Sequence, residues 1–399
     1  MDLAMPLEMD ELRGELRSWL SDHPPPTAPA ASAAEELPAA VAAGRRWQAL
    51  LAKGRWVGVT WPRAYGGRAL GPLASFVVTE ELARAGAPEL TGRVGVNLVG
   101  PTLLTHGNDD QRQRWLPAIL PARELWCQLY SEPEAGSDLA GLATRAERDG
   151  TGWRITGTKV WTSYAQFADW GVCLARSDPG SPRRQDGITC FAVDMHAPGV
   201  TVRPLVQLTG DAEFNEVVLD GVFVGDANRI GAPGEGWTVA ATTLAHERGI
   251  NPRQLGIHMR LLATLLACAH DRPVAFADWR TRRRLADAFI GVRIFELHNL
   301  RSLALIARGD APGAEGSTLK LYWSEMSQRL NDTALAVLGP QAPLWQGARG
   351  NPGDGAWQRA WLYSRATTIF SGTSEIQRDL IAERVLGLPR EPAAGKGAR

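Results

Sequence analysis

Apolar positions in the first third of the chain recur at helical spacing. Leu12, Leu16 and Leu20 fall four residues apart, and further helical stretches follow around residues 47–51 and over 76–85. Side chains four apart stack along one helix face, so each stretch predicts a helix that buries one side. From about residue 126 to 228 the period shortens. Alternating apolar runs, Trp153-Arg-Ile-Thr, Trp170-Gly-Val-Cys-Leu-Ala, Ile188-Thr-Cys-Phe-Ala-Val and Glu216-Val-Val-Leu, are punctuated by Gly and Pro and predict strands. After Gly231 helical patterning returns over residues 237–270, 280–308 and 317–337, with a last helix from about 375 to 386. The Pro/Ala/Ser-rich stretch 24–34 and the Gly-rich stretch 347–355 predict surface connections.

The order helical, β, helical predicts a multidomain α+β protein. Its expected parts are an N-terminal helical domain over residues 1–125, a β-domain over 126–230, a helical domain over 231–390 and a disordered tail over 391–399. A length of 399 residues with 44% hydrophobic content supports a large core spread over two or three domains. Lys plus Arg and Asp plus Glu both number 43, so no long-range field favours nucleic acid. Residues 1–20 lack the basic start and apolar run of a secretory signal, and no later run reaches membrane-spanning length, so a cytoplasmic location is expected. Cys127, Cys173, Cys190 and Cys268 are scattered without CxxC pairing, which favours buried thiols over disulfides or metal ligation.

Candidate chemistry lies in three segments. Tyr130-Ser-Glu-Pro-Glu-Ala-Gly-Ser-Asp-Leu-Ala-Gly sets Ser131 and Ser137 around Pro133 and Gly136, a composition equally at home in a plain turn and in a loop whose N–H groups approach a polar ligand. Gly157-Thr-Lys-Val-Trp-Thr-Ser follows about twenty residues later, and Phe370-Ser-Gly-Thr-Ser-Glu-Ile-Gln-Arg precedes the last helix. In this order the three resemble the acyl-CoA dehydrogenase family. The resemblance extends to Gly58-Val-Thr-Trp-Pro-Arg-Ala-Tyr-Gly-Gly, Glu80-Glu-Leu-Ala-Arg, Leu103-Leu-Thr-His-Gly and Pro233-Gly-Glu-Gly-Trp, nearly the whole chain.

The resemblance implies a middle β-barrel-like domain and a C-terminal four-helix bundle, with FAD extended between them and a neighbouring subunit. It implies that Trp161 lies against the flavin ring, that Ser163 bonds the flavin near N5, and that backbone around Leu129 and Ser131 meets its pyrimidine edge. Ser137 aligns with a residue near the CoA pyrophosphate and Thr373 with one that bonds FAD, although Thr373 also suits a helix N-cap. For Trp161 the competing reading is a core aromatic.

Oxidation of an acyl thioester to the trans-2-enoyl-CoA requires a base for the α-proton while hydride leaves the β-carbon for FAD. Many family members carry a Glu immediately before the Gly-Thr of the last motif, where this chain has Ser371. A second subgroup, isovaleryl-type and long-chain-type enzymes, places the base on a bundle helix before an Arg. Leu244-Ala-His-Glu-Arg matches that pattern, which assigns Glu247 as base and Arg248 and Ser371 to substrate binding. At helical spacing Ala240, Leu244 and Glu247 share a mostly apolar stripe, a setting that raises a carboxylate pKa. A structural ion pair is the competing reading for Glu247.

Two family segments are altered: Arg-x-x-Phe-Gly becomes Ala269-His-Asp-Arg-Pro-Val-Ala-Phe-Ala-Asp, and Gln-x-x-Gly-Gly-x-Gly becomes Ala336-Val-Leu-Gly-Pro-Gln-Ala. In the family both reach a neighbour's FAD. Their loss brings in a hetero-oligomer with a homologous chain, as in a heteromeric sterol-side-chain-type member, beside a homo-oligomer of two or four chains. The expected electron acceptor is an electron-transfer flavoprotein. Two other readings stand beside this one: a structural partner subunit of a heteromeric dehydrogenase, and a dehydrogenase acting on a carrier-protein-bound acyl group.

Overall fold

The computed structural model describes residues 6–26, 36–247, 252–308, 313 and 315–390, with the side chains of His246, Glu247, Ala275 and Ala307 excepted. The expected tail over 391–399 lies outside the described residues. The chain gathers into two compact units that divide after Glu247.

The first unit opens with helices α1 (Leu7–Asp22), α2 (Leu37–Lys53), α3 (Pro72–Arg84), α4 (Gly100–His106) and α5 (Asp109–Ile119). Leu12, Leu16 and Leu20 are buried, as their spacing predicts. On α3, buried Glu81 accepts hydrogen bonds from Arg13 (2.6 Å) and Arg17 (2.7 and 2.9 Å) of α1. Burial pushes the Glu81 carboxyl up, but the two guanidiniums outweigh it and hold the group below the ordinary carboxylate range. Asn108 caps α5 by accepting from the Gln111 N–H at 2.8 Å, while the Gln111 side chain accepts from the Asn108 N–H.

Eight strands follow: β1 (Trp126–Leu129), β2 (Arg145–Asp149), β3 (Gly152–Ser163), β4 (Trp170–Arg176), β5 (Ile188–Asp194), β6 (Val200–Leu205), β7 (Phe214–Gly225) and β8 (Arg229–Ile230). They pair in the order β6-β7-β3-β2-β4-β5-β8, with β1 parallel to β4 off this path. The two ends do not meet, so among the described residues the sheet is open and the barrel-like closure is not found. β8 has only two residues to offer a partner, and Pro204 in β6 lacks the N–H a further ladder would use. On β4 and β5 successive side chains feed two cores. Val172, Leu174, Ile188, Cys190 and Ala192 join the cluster that includes the helices, whereas Cys173, Ala175, Phe191 and Val193 join a second cluster. Burial on both faces explains why these strands read as nearly unbroken apolar runs. Helix α6 (Gly236–Glu247) completes this unit.

The second unit is helical: α7 (Pro252–His270), α8 (Pro273–Ala277), α9 (Trp279–Ala307), α10 (Glu315–Leu338), α11 (Ala356–Ser364) and α12 (Ser374–Leu380). Helix α10 packs against α7, α9, α11 and α12. Of the run 237–270, expected as one helical stretch, α6 covers Gly236–Glu247 and α7 covers Pro252–His270, and residues 248–251 between them lie outside the described residues. In this core His258 is buried, with Nδ1 2.7 Å from the Gln254 carbonyl oxygen and Nε2 3.0 Å from Ser327 Oγ. Among the described residues no helix is long and apolar enough to cross a membrane.

Candidate active site

The β3–β7 ladder breaks where Gly157-Thr-Lys-Val-Trp-Thr-Ser runs. Lys159 pairs with Val217 and Thr162 with Asn215, so β3 holds one extra residue between them, a β-bulge. Trp161 sits in this bulge at φ 60°, a left-handed conformation unusual for a bulky residue, and the residue is 61% exposed. The Val160 N–H donates instead to the Ser131 carbonyl at 2.9 Å. Two segments distant in the chain are thereby joined.

A buried ion pair fastens the junction. Lys159 Nζ donates to Glu132 Oε1 at 2.8 Å and to the Tyr130 carbonyl at 3.2 Å, and Glu132 also accepts from the N–H groups of Ala143 (2.6 Å) and Thr144 (2.9 Å). Burial pushes the Glu132 carboxyl up, yet the Lys159 charge and these donors together hold it below its ordinary value. The result is a rigid ledge that carries Leu129, Ser131, Trp161 and Ser163. Leu129 is buried, the last residue of β1 at the base of this ledge. Ser137 is exposed farther along the same loop.

The ledge also grips α6. The Tyr130 hydroxyl donates to Thr243 Oγ1 at 3.1 Å, and Thr102 Oγ1 of α4 lies 2.8 Å from the same atom. Thr243 is one turn before Glu247, the last residue of α6. The Glu247 side chain and the whole of Arg248, assigned from the sequence as base and substrate contact, lie outside the described residues.

In the helical unit, Thr373 caps α12 by accepting from the Ile376 N–H at 3.3 Å, in keeping with its N-cap pattern. Before it, Ser371 and Gly372 both take positive φ, 56° and 91°. Gln377 Nε2 donates to the Ser371 carbonyl (3.0 Å) and the Gly372 carbonyl (3.3 Å), and Lys320 Nζ of α10 donates to the Gly372 carbonyl at 2.6 Å. The two altered segments meet each other in this unit, where Arg272 donates to the Cys268 carbonyl (3.0 Å) and to Gln341 Oε1 (3.2 Å).

This fold and these segments match the acyl-CoA dehydrogenase family models: the N-terminal domain over residues 7–122, the middle domain over 127–222 and the C-terminal domain over 234–386. The chain belongs to the acyl-CoA dehydrogenase family, whose members are FAD-dependent oxidoreductases. It is 40% identical to the acyl-CoA dehydrogenase IpdE1 of Mycobacterium tuberculosis, over 96% of this chain and 99% of that one. Among solved structures it resembles the Tcur3481-Tcur3483 steroid ACAD at 30% identity and TM-score 0.85, covering 98% of this chain and all of that one. It also resembles the ChsE4-ChsE5 complex of Mycobacterium tuberculosis at 29% identity and TM-score 0.83, over 98% of this chain and 100% of that chain.

The residues present fit a flavin. An exposed indole on a strained bulge offers a flat apolar face, and Ser163 and the Ser131 loop supply polar groups beside it. An indole this exposed is not a core aromatic. The sequence reading did not find the Lys159–Glu132 pair, the Tyr130–Thr243–Thr102 hydroxyls, Lys320 or Gln377. Lys159 and Gln377 stand inside the motifs that hold Trp161 and Thr373. Lys320 is flanked by Leu319 and Leu321 on an amphipathic helix, and nothing in the residue pattern marks it as buried.

Proposed function

We propose that this chain catalyses α,β-dehydrogenation of a CoA thioester whose acyl group derives from a steroid, giving the trans-2-enoyl-CoA. The observation that carries the reading is a helix that reaches Glu247 in a chain whose loop before α12 presents Ser371 instead of a carboxylate. The steroid assignment rests on the likeness to the steroid ACAD. Glu247 takes the α-proton. Backbone N–H groups of the Ser371 loop donate to the thioester oxygen as enolate charge develops, and Trp161 and Ser163 hold the flavin face. What bound FAD supplies is a hydride acceptor for the β-carbon. Electrons then leave to an electron-transfer flavoprotein. Ser137 meets the CoA pyrophosphate.

The chain works in a hetero-oligomer with a homologous partner. In support, Arg272 is engaged by its own chain at Cys268 and Gln341, so this altered segment is a poor candidate to reach a neighbour's FAD. Anaerobic flavin bleaching with a panel of butanoyl-, octanoyl-, isobutanoyl- and cholanoyl-CoA tests the chemistry, and the expected result is bleaching fastest with cholanoyl-CoA. Absence of bleaching with every thioester, in the chain alone and beside its partner, overturns the dehydrogenase reading. A stable homotetramer carrying one FAD per chain overturns the assembly.

A further inference from the structure

We infer that Lys320 and Gln377 form a clamp that orients the Ser371-Gly372-Thr373 loop toward the thioester oxygen, with Lys320 as its charged jaw. The inference rests on the dehydrogenase reading above and names residues that reading leaves without a part.

The geometry is simple. No peptide in the described chain is cis, and in a planar trans peptide the C=O and N–H point in opposite directions. Gln377 Nε2 takes the carbonyl of Ser371, so the Gly372 N–H is turned to the far side. Lys320 Nζ takes the carbonyl of Gly372, so the Thr373 N–H is turned away from the ammonium. Holding both carbonyls from behind fixes ψ at Ser371 and at Gly372, and with it the whole turn. Ser371 needs that hold, because an L-residue at φ 56° lies about 1–2 kcal/mol above its right-handed alternatives.

Both jaws are inside the protein. Lys320 is 7% exposed and Gln377 is fully buried. A buried ammonium on a peptide carbonyl also polarises that peptide, which strengthens donation from its N–H. A Cβ added at Gly372 would run into Gln377 Nε2, and at a φ of 91° an L-residue there is strained as well. A loop kept in a strained turn by two buried donors is stiff, and donors aimed before substrate arrives stabilise developing negative charge without reorganising.

Lys320 and Gln377 are therefore positioning residues, and their test separates aim from folding. Lys320→Met, Gln377→Met and Gly372→Ala holoenzymes are compared with wild type and with Lys320→Arg, which keeps a charged donor. The probe is the CoA thioester that bleaches wild-type flavin fastest, cholanoyl-CoA on the reading above, and its enoyl product labelled at the carbonyl carbon. Expected are near-normal FAD content and KM within about 3-fold. Single-turnover bleaching should slow by about 10- to 100-fold, and the infrared shift of the bound enoyl carbonyl should shrink. Lys320→Arg should recover most of both. If one variant fails to fold, the other two carry the same comparison. Wild-type bleaching with an undiminished carbonyl shift in the folded variants overturns the clamp alone. A wild type that neither bleaches nor shifts the carbonyl overturns the dehydrogenase reading and the clamp with it.

Discussion

Lys159 Nζ lies 2.8 Å from Glu132 Oε1 with its side chain wholly sealed from solvent, joining the strand that displays Trp161 to the loop that holds Ser131. The pair serves placement: it takes up a lysine and a glutamate that the flavin chemistry does not use. Removing one member of a buried pair strands the other. Lys159→Met should cost about 3 kcal/mol of stability in urea unfolding and lower the FAD content of the purified protein. Unchanged flavin binding in that variant would show that the ledge keeps its shape without the pair.

Glu247→Gln should leave folding and FAD content near normal yet lower turnover by at least about 10³-fold, as loss of a general base does. Ser371→Ala should cost little, since the loop contributes backbone N–H groups. Single-turnover bleaching reports the step directly, and an undiminished rate in Glu247→Gln removes the residue from the mechanism.

Trp161 and Ser163 should both register in the flavin itself. The Trp161→Ala, Ser163→Ala double variant is expected to shift the flavin absorbance bands and its reduction potential, because the ring loses an apolar face and a hydroxyl partner. Spectroelectrochemical titration beside the wild type reads both quantities. A spectrum and potential identical to wild type would place the flavin elsewhere.

Acid should weaken the helical unit through His258. Burial lowers its pKa from the ordinary 6.5 to about 4, so the folded chain keeps the ring neutral where the unfolded chain protonates it. The stabilisation is complete above pH 6.5 and is lost as pH falls toward 4, up to about 3 kcal/mol across that window. Urea midpoints between pH 7 and 4 should show the decline. In His258→Asn the decline should flatten, on a lower baseline at neutral pH.

The helical, β, helical order was legible because burial imposes period on sequence. Leu12, Leu16 and Leu20 face one core, and Val172 to Ala175 read as continuous because β4 is covered on both sides. Sheet closure was not legible, since the strand pattern does not reveal that β8 is too short to extend the ladder. At the site, the motif that carries Trp161 was legible in the sequence. The supporting residues were not, because the burial of Lys159 and Lys320 depends on carbonyls contributed by distant loops.

The bulge beneath Trp161 has a counterpart. Between Ile155 and Gly157 the extra residue lies on β7, and between Lys159 and Thr162 it lies on β3, so Ile155 to Thr162 and Val222 to Asn215 both span seven steps. The two irregularities behave like a frameshift and its suppressor. Between them the strands run out of phase, and beyond them the original reading frame returns in time to pair Ser163 with Phe214. Deleting the extra residue at the β3 bulge would leave a regular ladder, with Lys159 still opposite Val217 and Thr162 still opposite Asn215, at the loss of the displayed indole.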